Sequence, residues 1–319
     1  MRDTTSMLTF ILRRLGAGVL TVLTISVLGF YLLHLGARDT ARRIVGDTAD
    51  PTIVARKAHE LGLDRPIIVQ FFDWAGSALR GDMGRSWFSG QPVTDALASR
   101  LPVTLSLTIG AILVTAVVGT ILGVLAATRR GRVDGSIQVG SFVGAAIPGF
   151  LVALILVLVF AVGLHWVPAT GYITPETSIT GWLSTIILPI IALSIGATAS
   201  IAQQVRGSML DALRLDYVRT LRARGIPNRR VTYDHVLRNS AGPALSVLGI
   251  QFIVMLGGAV VVEQVFSLPG LGQTAVSATI QGDIPLVMGL IVVTAVIVLL
   301  INLAVDLLQG WLNPKVRLS

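Results

Sequence analysis

Six times along its 319 residues, this chain runs apolar for about the thickness of a lipid bilayer. The stretches lie at 15–33, 101–128, 137–163, 183–203, 244–266 and 286–311, and each approaches or exceeds the ~20 residues that cross hydrocarbon as an α-helix. In lipid every backbone N–H and C=O must find a partner within the protein, and a lone apolar segment does so only as a helix. Charged residues make up 13% of the sequence and hydrophobic ones 53%, whereas a soluble domain carries roughly a quarter charged residues. The expectation is an all-α integral membrane protein with six transmembrane helices, whose even number puts both termini on one side.

Lys and Arg say which side. The amino end, the loop at 129–132, the loop at 206–238 and the tail hold sixteen of the 25, and the other nine all fall between Arg38 and Arg100. That last segment slightly exceeds the ~60 residues over which the positive-inside bias counts, and the two remaining outer loops contain neither residue. Both termini are therefore expected in the cytoplasm. The net charge of +8 is mainly a topology signal that also suits anionic headgroups, and no nucleic-acid partner is expected. Segment 34–100 reads as two short helices on the outer membrane surface. Asp50-Pro51 starts one that Gly62 stops, and Asp64 starts another that Gly81 stops, with Ile68, Phe71, Ala75 and Leu79 on one face. The first apolar run is too long for a cleaved signal-peptide core and reads as a retained span. Without Cys there is no disulfide framework and no thiolate metal site, and the four His are scattered.

Several chemistries are excluded by what is missing. The two lysines, Lys57 and Lys315, follow Arg56 and Pro314, so no phosphate-binding Gly-Lys-Ser/Thr loop exists and nucleotide must be handled by another polypeptide. Ion-coupled carriers keep ionisable groups near the bilayer midplane because such costly groups are retained for function. Here the acidic exceptions, Glu263 and Asp306, fall near span ends. There is no paired-His zinc motif and no Gly-x-Ser-x-Gly elbow, so no catalytic residue is expected.

Between the fourth and fifth apolar runs lies DYVRTLRARGIPNRRVTYDHVLRNSAGP, at 216–243. A first helix, apolar at Val205, Met209, Leu213 and Tyr217, is expected to stop at Gly225, with Pro227 two residues on. Asn228 is placed to cap a second helix carrying Val231, Val236 and Leu237, and Gly242-Pro243 to open the next apolar run. Asp211 with Arg214, and Asp216 with Arg219, are i,i+3 pairs able to stiffen the elbow. Further on, Pro269 with Gly270 and Gly272 breaks the helix into an outer re-entrant turn. Glu263 just before it either lines an external gate or bridge to a partner, or simply reaches water. Pro148-Gly149 and Pro189 kink their spans, as pivots or as packing features. Small residues such as Gly119, Gly123, Gly257 and Gly258 permit close helix contact.

The elbow resembles the cytoplasmic coupling loop, the EAA loop, of ABC-importer permeases, in the form found in the oligopeptide, dipeptide and nickel permease family, and the whole chain resembles the first, B-type permease of that family. Six further places agree in order: LGLDRPIIVQFFDWAGSALRGDMGRS at 61–86, LPVTLSL at 101–107, IPGF at 147–150, VPATGY at 167–172, VRGSMLDAL at 205–213 and EQVFSLPGLGQ at 263–273. The resemblance implies the type I ABC importer permease fold in a bacterial inner (plasma) membrane, forming half of a path for peptides. Implied partners are a second homologous permease, two ATPase subunits or domains, an extracytoplasmic substrate-binding protein and the peptide itself. No cofactor is implied in this chain, ATP and magnesium belonging to the ATPases. Arg219, Thr220 and Leu221 occupy the Glu-Ala-Ala positions, Gly225 is the glycine four residues later, and Asp216 and Tyr217 flank them as supports of the ATPase contact. Leu221 departs from the usual Arg-Thr-Ala, and HLGARDTARR at 34–43 stands where the family has Pro-Gly-Asp-Pro. The expected organisation is 1–33 as amino end and first span, 34–100 as the outer helical segment, and 101–319 as a five-helix core with the coupling loop at 204–242. Nickel chelates or glycopeptides are alternative cargo. A self-contained channel or ion-coupled carrier is the rival class.

Overall fold

The structure, a computed structural model, describes residues 2–46, 48–129 and 131–312. Among these it is helical throughout, apart from turns and one isolated bridge between Arg85 and Pro92. Five helices are long and apolar enough to cross a bilayer: α1 (Arg2–His34), α5 (Val93–Thr128), α8 (Ile179–Leu213), α11 (Arg238–Val265, with a lead-in from Asn228) and α13 (Ile284–Leu312). The remaining span is not one helix. α6 (Arg132–Ala146) and α7 (Gly149–Leu156, continued as a π-helix over Val157–Gly163) meet at 95°. A residue before proline is disfavoured in the helical region, and Ile147 has left it, at φ −81°, ψ 122°. Pro189, by contrast, lies buried within an unbroken α8.

The chain divides into two units, one built on 104–268 with parts of both chain ends, the other on 12–103 and 269–300. In the first, α8 packs against α6, α7 and α11, and Ser178 starts it by accepting the Gly181 N–H at 3.1 Å. α5 approaches α8 at Gly119 and Gly123, one helical turn apart, where an added Cβ would lie 2.8 Å from Ile201 and 2.6 Å from Val205. Small residues here let the backbones close in.

The second unit gathers Phe30, Ile284 and Met288 with Leu33, Ile67, Phe71, Trp74 and Trp87, and the Phe30 ring stacks on His34 at 4.0 Å and meets Phe71 edge-on at 5.4 Å. Segment 34–100 holds three helices, α2 (Ala37–Val45), α3 (Pro51–Glu60) and α4 (Ile67–Ala78), rather than the expected two. α3 begins as expected, with the Asp50 carboxylate accepting the Thr52 N–H at 2.8 Å, and Gly62 follows it at φ +70°. α4 differs. Its N-cap is Pro66, because Asp64 is engaged by His59 at 2.6 Å. Its inward face is Ile67, Phe71 and Trp74, while Ile68 and Leu79 are 67% and 90% exposed. Both stripes have helical spacing, so periodicity could not tell which one packs. HLGARDTARR contributes α2, whose Arg43 donates to the Ile280 carbonyl at 2.7 Å, near the carboxyl end of a short helix, α12 (Leu271–Gln281). Beyond it the buried Asp283 accepts the Ser86 hydroxyl at 2.5 Å and the Trp87 N–H at 3.2 Å.

Candidate functional site

The charged elbow after α8 is built on a small apolar core. Val218, Val231 and Val236 are each 0% exposed and cluster with Val205, Met209 and Ala212 of α8 and Val124 and Ala127 of α5. Burying each valine stabilises by about 2 kcal/mol. The first arm is α9 (Asp216–Ala223), amphipathic with Val218 inward and Asp216, Arg219, Thr220 and Arg222 exposed. α9 is not the continuation of α8 that the apolar spacing predicts. The helix ends at Leu213, Leu215 adopts an extended φ −71°, ψ 149°, and a new helix starts at Asp216. Spacing from Val205 to Tyr217 suits a continuous helix, and only the turn back that places Val218 against Val231 and Val236 requires the break.

Gly225 ends α9 as expected. It sits at φ +76°, its N–H bonds to the Arg222 carbonyl at 2.9 Å, and the Ile226 N–H bonds to the Leu221 carbonyl at 3.2 Å. This pair of bonds is the Schellman cap, which joins the third residue from the helix end to the second one past it through an apolar contact. Leu221 and Ile226 both pack on the elbow core, so the leucine that departs from the family pattern has a structural use. Asn228 does not cap the second arm: its side-chain oxygen accepts from Arg222 Nε at 3.2 Å, and Pro227 takes the cap position.

The second arm is α10 (Asn228–Arg230), continued as a π-helix over Val231–Leu237 and then as α11. No break occurs at Gly242-Pro243, and the helix runs unbroken from Asn228 to Val265 over 38 residues. Pro243 removes one donor, and the acceptor left open four residues back belongs to the exposed Asn239. Ser240 ties this helix to α8 by donating to the Val236 and Ser208 carbonyls at 2.8 and 3.2 Å. Asn239 Nδ2 donates to the Tyr217 hydroxyl at 3.4 Å, and an open groove of about 400 Å³ runs beside Tyr217, Asp234, Arg238 and Pro243. Of the two expected stiffening pairs, Asp216 and Arg219 come within 3.5 Å, both largely exposed. Asp211 and Arg214 share a backbone hydrogen bond at 3.2 Å and form no ion pair among the described contacts.

A stronger pair joins residues far apart in the sequence. Arg206 of α8 donates to both carboxylate oxygens of Asp134, in the first turn of α6, at 2.6 and 2.8 Å, and Gln138 adds a third donor at 3.0 Å. Both charged side chains are at least three-quarters buried, and such forked pairing is strong and directional. The sequence signal was a lone acid among arginines facing the start of VRGSMLDAL, with 72 residues between the partners.

Glu263 is 0% exposed and accepts the Thr104 hydroxyl at 2.5 Å, so it is held inside the unit and does not reach water. After α11 the chain turns at Ser267, φ +52°, and Gly270 starts α12, its carbonyl accepting from the Thr274 N–H and hydroxyl at 3.2 and 2.8 Å. Gly270 and Gly272 are buried, Pro269 exposed. The helix break at SLPGLG is present, and it leads into a helix rather than a turn alone. No group of acids and histidines able to hold a metal occurs among the described residues.

Comparison with known proteins bears on the whole chain. Residues 119–318 match the family described as the binding-protein-dependent transport system inner membrane component, and residues 7–108 match its amino-terminal companion. A probable peptide ABC transporter permease protein, y4tP, of Sinorhizobium fredii is 38% identical over 97% of this chain and 99% of its own. The di/tripeptide transport system permease protein DppB of Pseudomonas aeruginosa is 36% identical over 98% and 99%. Among solved structures, the inward-facing MetNI methionine ABC transporter aligns with a TM-score of 0.56 and 19% identity, over 68% of this chain and 96% of that one. That likeness shows the fold, the type I importer permease arrangement.

Proposed function

Since the chain belongs to the family of binding-protein-dependent transport system inner membrane components, we propose that it forms half of the translocation path of an ATP-driven importer of peptides. It is a multi-pass protein of the bacterial inner membrane, and its relatives' names supply the cargo class. ATP and magnesium are handled by two partner ATPase subunits or domains, a second permease supplies the other half of the path, and an extracytoplasmic binding protein delivers the peptide. Both termini lie in the cytoplasm, segment 34–100 lies outside, and 101–319 is the core. Glu263 with the Pro269, Gly270 and Gly272 turn belongs to the outer end.

The observation that carries this reading is the elbow. Its inner face is a closed valine core, its outer face offers Asp216, Arg219, Thr220 and the Gly225 cap, and its second arm is continuous with a membrane helix. A surface so built can be gripped by an ATPase, and a push on it moves α11 directly. The chain has no Cys, so one thiol can report on the contact. In the assembled complex, Thr220→Cys is expected to cross-link through a short bifunctional reagent to an ATPase subunit in an ATP-dependent way. A Thr220→Cys protein that imports peptide normally yet never cross-links to an ATPase overturns the assignment.

A further inference from the structure

At the 95° break between α6 and α7, the first unit holds a cavity of about 470 Å³ walled by α6, α7, α8 and α11. Pro148, Ala192, Gly196 and Gly258 give it small, smooth walls, and its only polar side chains are Ser200 and Gln251. No charged side chain among the described residues lines it. Ser200 is turned back on its own helix, donating to the Gly196 carbonyl at 3.2 Å.

What faces this cavity is decided by the break. Ile147 and Phe150, on either side of Pro148-Gly149, are 39% and 44% exposed, Ile147 is extended, and no side chain caps the start of α7. Non-helical backbone at membrane depth is not tolerated against lipid; it must be covered by protein or line a water-filled space. Gln251 lines the same cavity, and an amide is costly to leave in hydrocarbon without a partner, so water is the better occupant. A cavity of this size is in the range of small-ligand sites, and peptides carry their own amides, which smooth walls and a neutral amide can accommodate whatever the side chains.

Resting on the importer reading above, we infer that this cavity is the cargo-facing wall of the half-path, and that its lack of charge is what lets peptides of either side-chain charge pass. Gln251 is then the position at which the path can be made charge-selective. A unit charge placed there acts on a peptide side chain a few ångströms away through a partly hydrated space, for which about a tenfold preference is expected.

The test uses the complete complex in liposomes, with Ala-Ala-Ala, Ala-Lys-Ala and Ala-Glu-Ala as cargo and the same binding protein throughout. Dividing by the unaltered complex then removes that protein's own preference. Gln251→Glu is expected to raise the uptake ratio of Ala-Lys-Ala to Ala-Glu-Ala about tenfold, and Gln251→Lys to lower it by as much. Unchanged ratios in variants that still import overturn the inference while leaving the importer reading intact. If both variants lose uptake, Ser200→Cys decides. Labelling by a membrane-impermeant thiol reagent that is slowed by peptide with ATP supports the water-filled path; no labelling means the face is sealed by the second permease or lipid and overturns it. An unaltered complex that imports none of the three peptides in an ATP-dependent way overturns the importer reading itself.

Discussion

Gly225 shows what one residue can decide at the elbow. Its φ of +76° is the left-handed conformation, which side chains with a Cβ adopt at a cost of roughly 1–2 kcal/mol, and nothing crowds the site within 4 Å. Gly225→Val therefore disturbs backbone rather than packing. The protein is expected to insert and assemble but to import poorly while ATP hydrolysis continues; measured uptake at the unaltered rate contradicts the role of this cap. At the Asp134–Arg206 pair, removing one charge leaves the other poorly solvated, at about 1–2 kcal/mol for a pair that is not fully buried. Asp134→Ala is expected to lower the thermal midpoint of the detergent-solubilised protein, and Asp134→Ala with Arg206→Met to recover part of the loss. An additive double variant argues against the pair. Outside the spans, Asp64 raises the pKa of His59 above 6.5 by hydrogen bonding and then by charge. The stabilisation from this contact is complete below about pH 6.5 and fades as pH rises through the higher folded value. Amide exchange around 60–66 is expected to speed up over that window beyond its ordinary pH trend, and His59→Gln to remove the excess. Gly225 was legible because a Gly-x-Pro stop is local, whereas Asp134 with Arg206 was not, because pairing across 72 residues leaves no local mark.

At the level of elements, the proposed coupling makes the second arm of the elbow a lever. The 38-residue helix from Asn228 to Val265 joins the surface proposed for the ATPase contact to the membrane without a joint, running on through Gly242-Pro243. Replacing Leu237 and Arg238 by two glycines costs about 1 kcal/mol each in helix stability and softens this lever. The expected outcome is uptake falling several-fold with basal ATP hydrolysis retained, and equal loss of both argues instead for general damage. Helix breaks were hard to rank from sequence. Pro148 and Pro189 interrupt apolar runs and Pro243 opens one, yet of the three only Pro148 splits its helix. A proline removes one hydrogen bond wherever it stands. Whether the helix continues depends on what its neighbours hold in place: Pro189 is buried in α8, and Ser240 pins the helix before Pro243 to α8.

For the whole molecule, the charge asymmetry makes a topological prediction. A fluorescent protein fused after Ser319 is expected to mature, and alkaline phosphatase inserted near Arg80 to be active outside; the reverse pattern would invert the proposed orientation. The number and position of the apolar runs, the helical class, the bias of Arg and Lys and the missing nucleotide loop were all readable from sequence, because each follows from local composition against the fixed thickness and low polarity of a bilayer. So were the Gly225 stop and the Asp50 cap, which depend on residues within a few positions. Tertiary structure alone decided that α4 turns Ile67, Phe71 and Trp74 inward rather than Ile68 and Leu79, that α9 separates from α8, that Glu263 is enclosed beside Thr104, and that α6 and α7 bend around a neutral cavity. The choice fell to contacts between residues far apart in the chain, where burial and pairing outweigh any preference written locally.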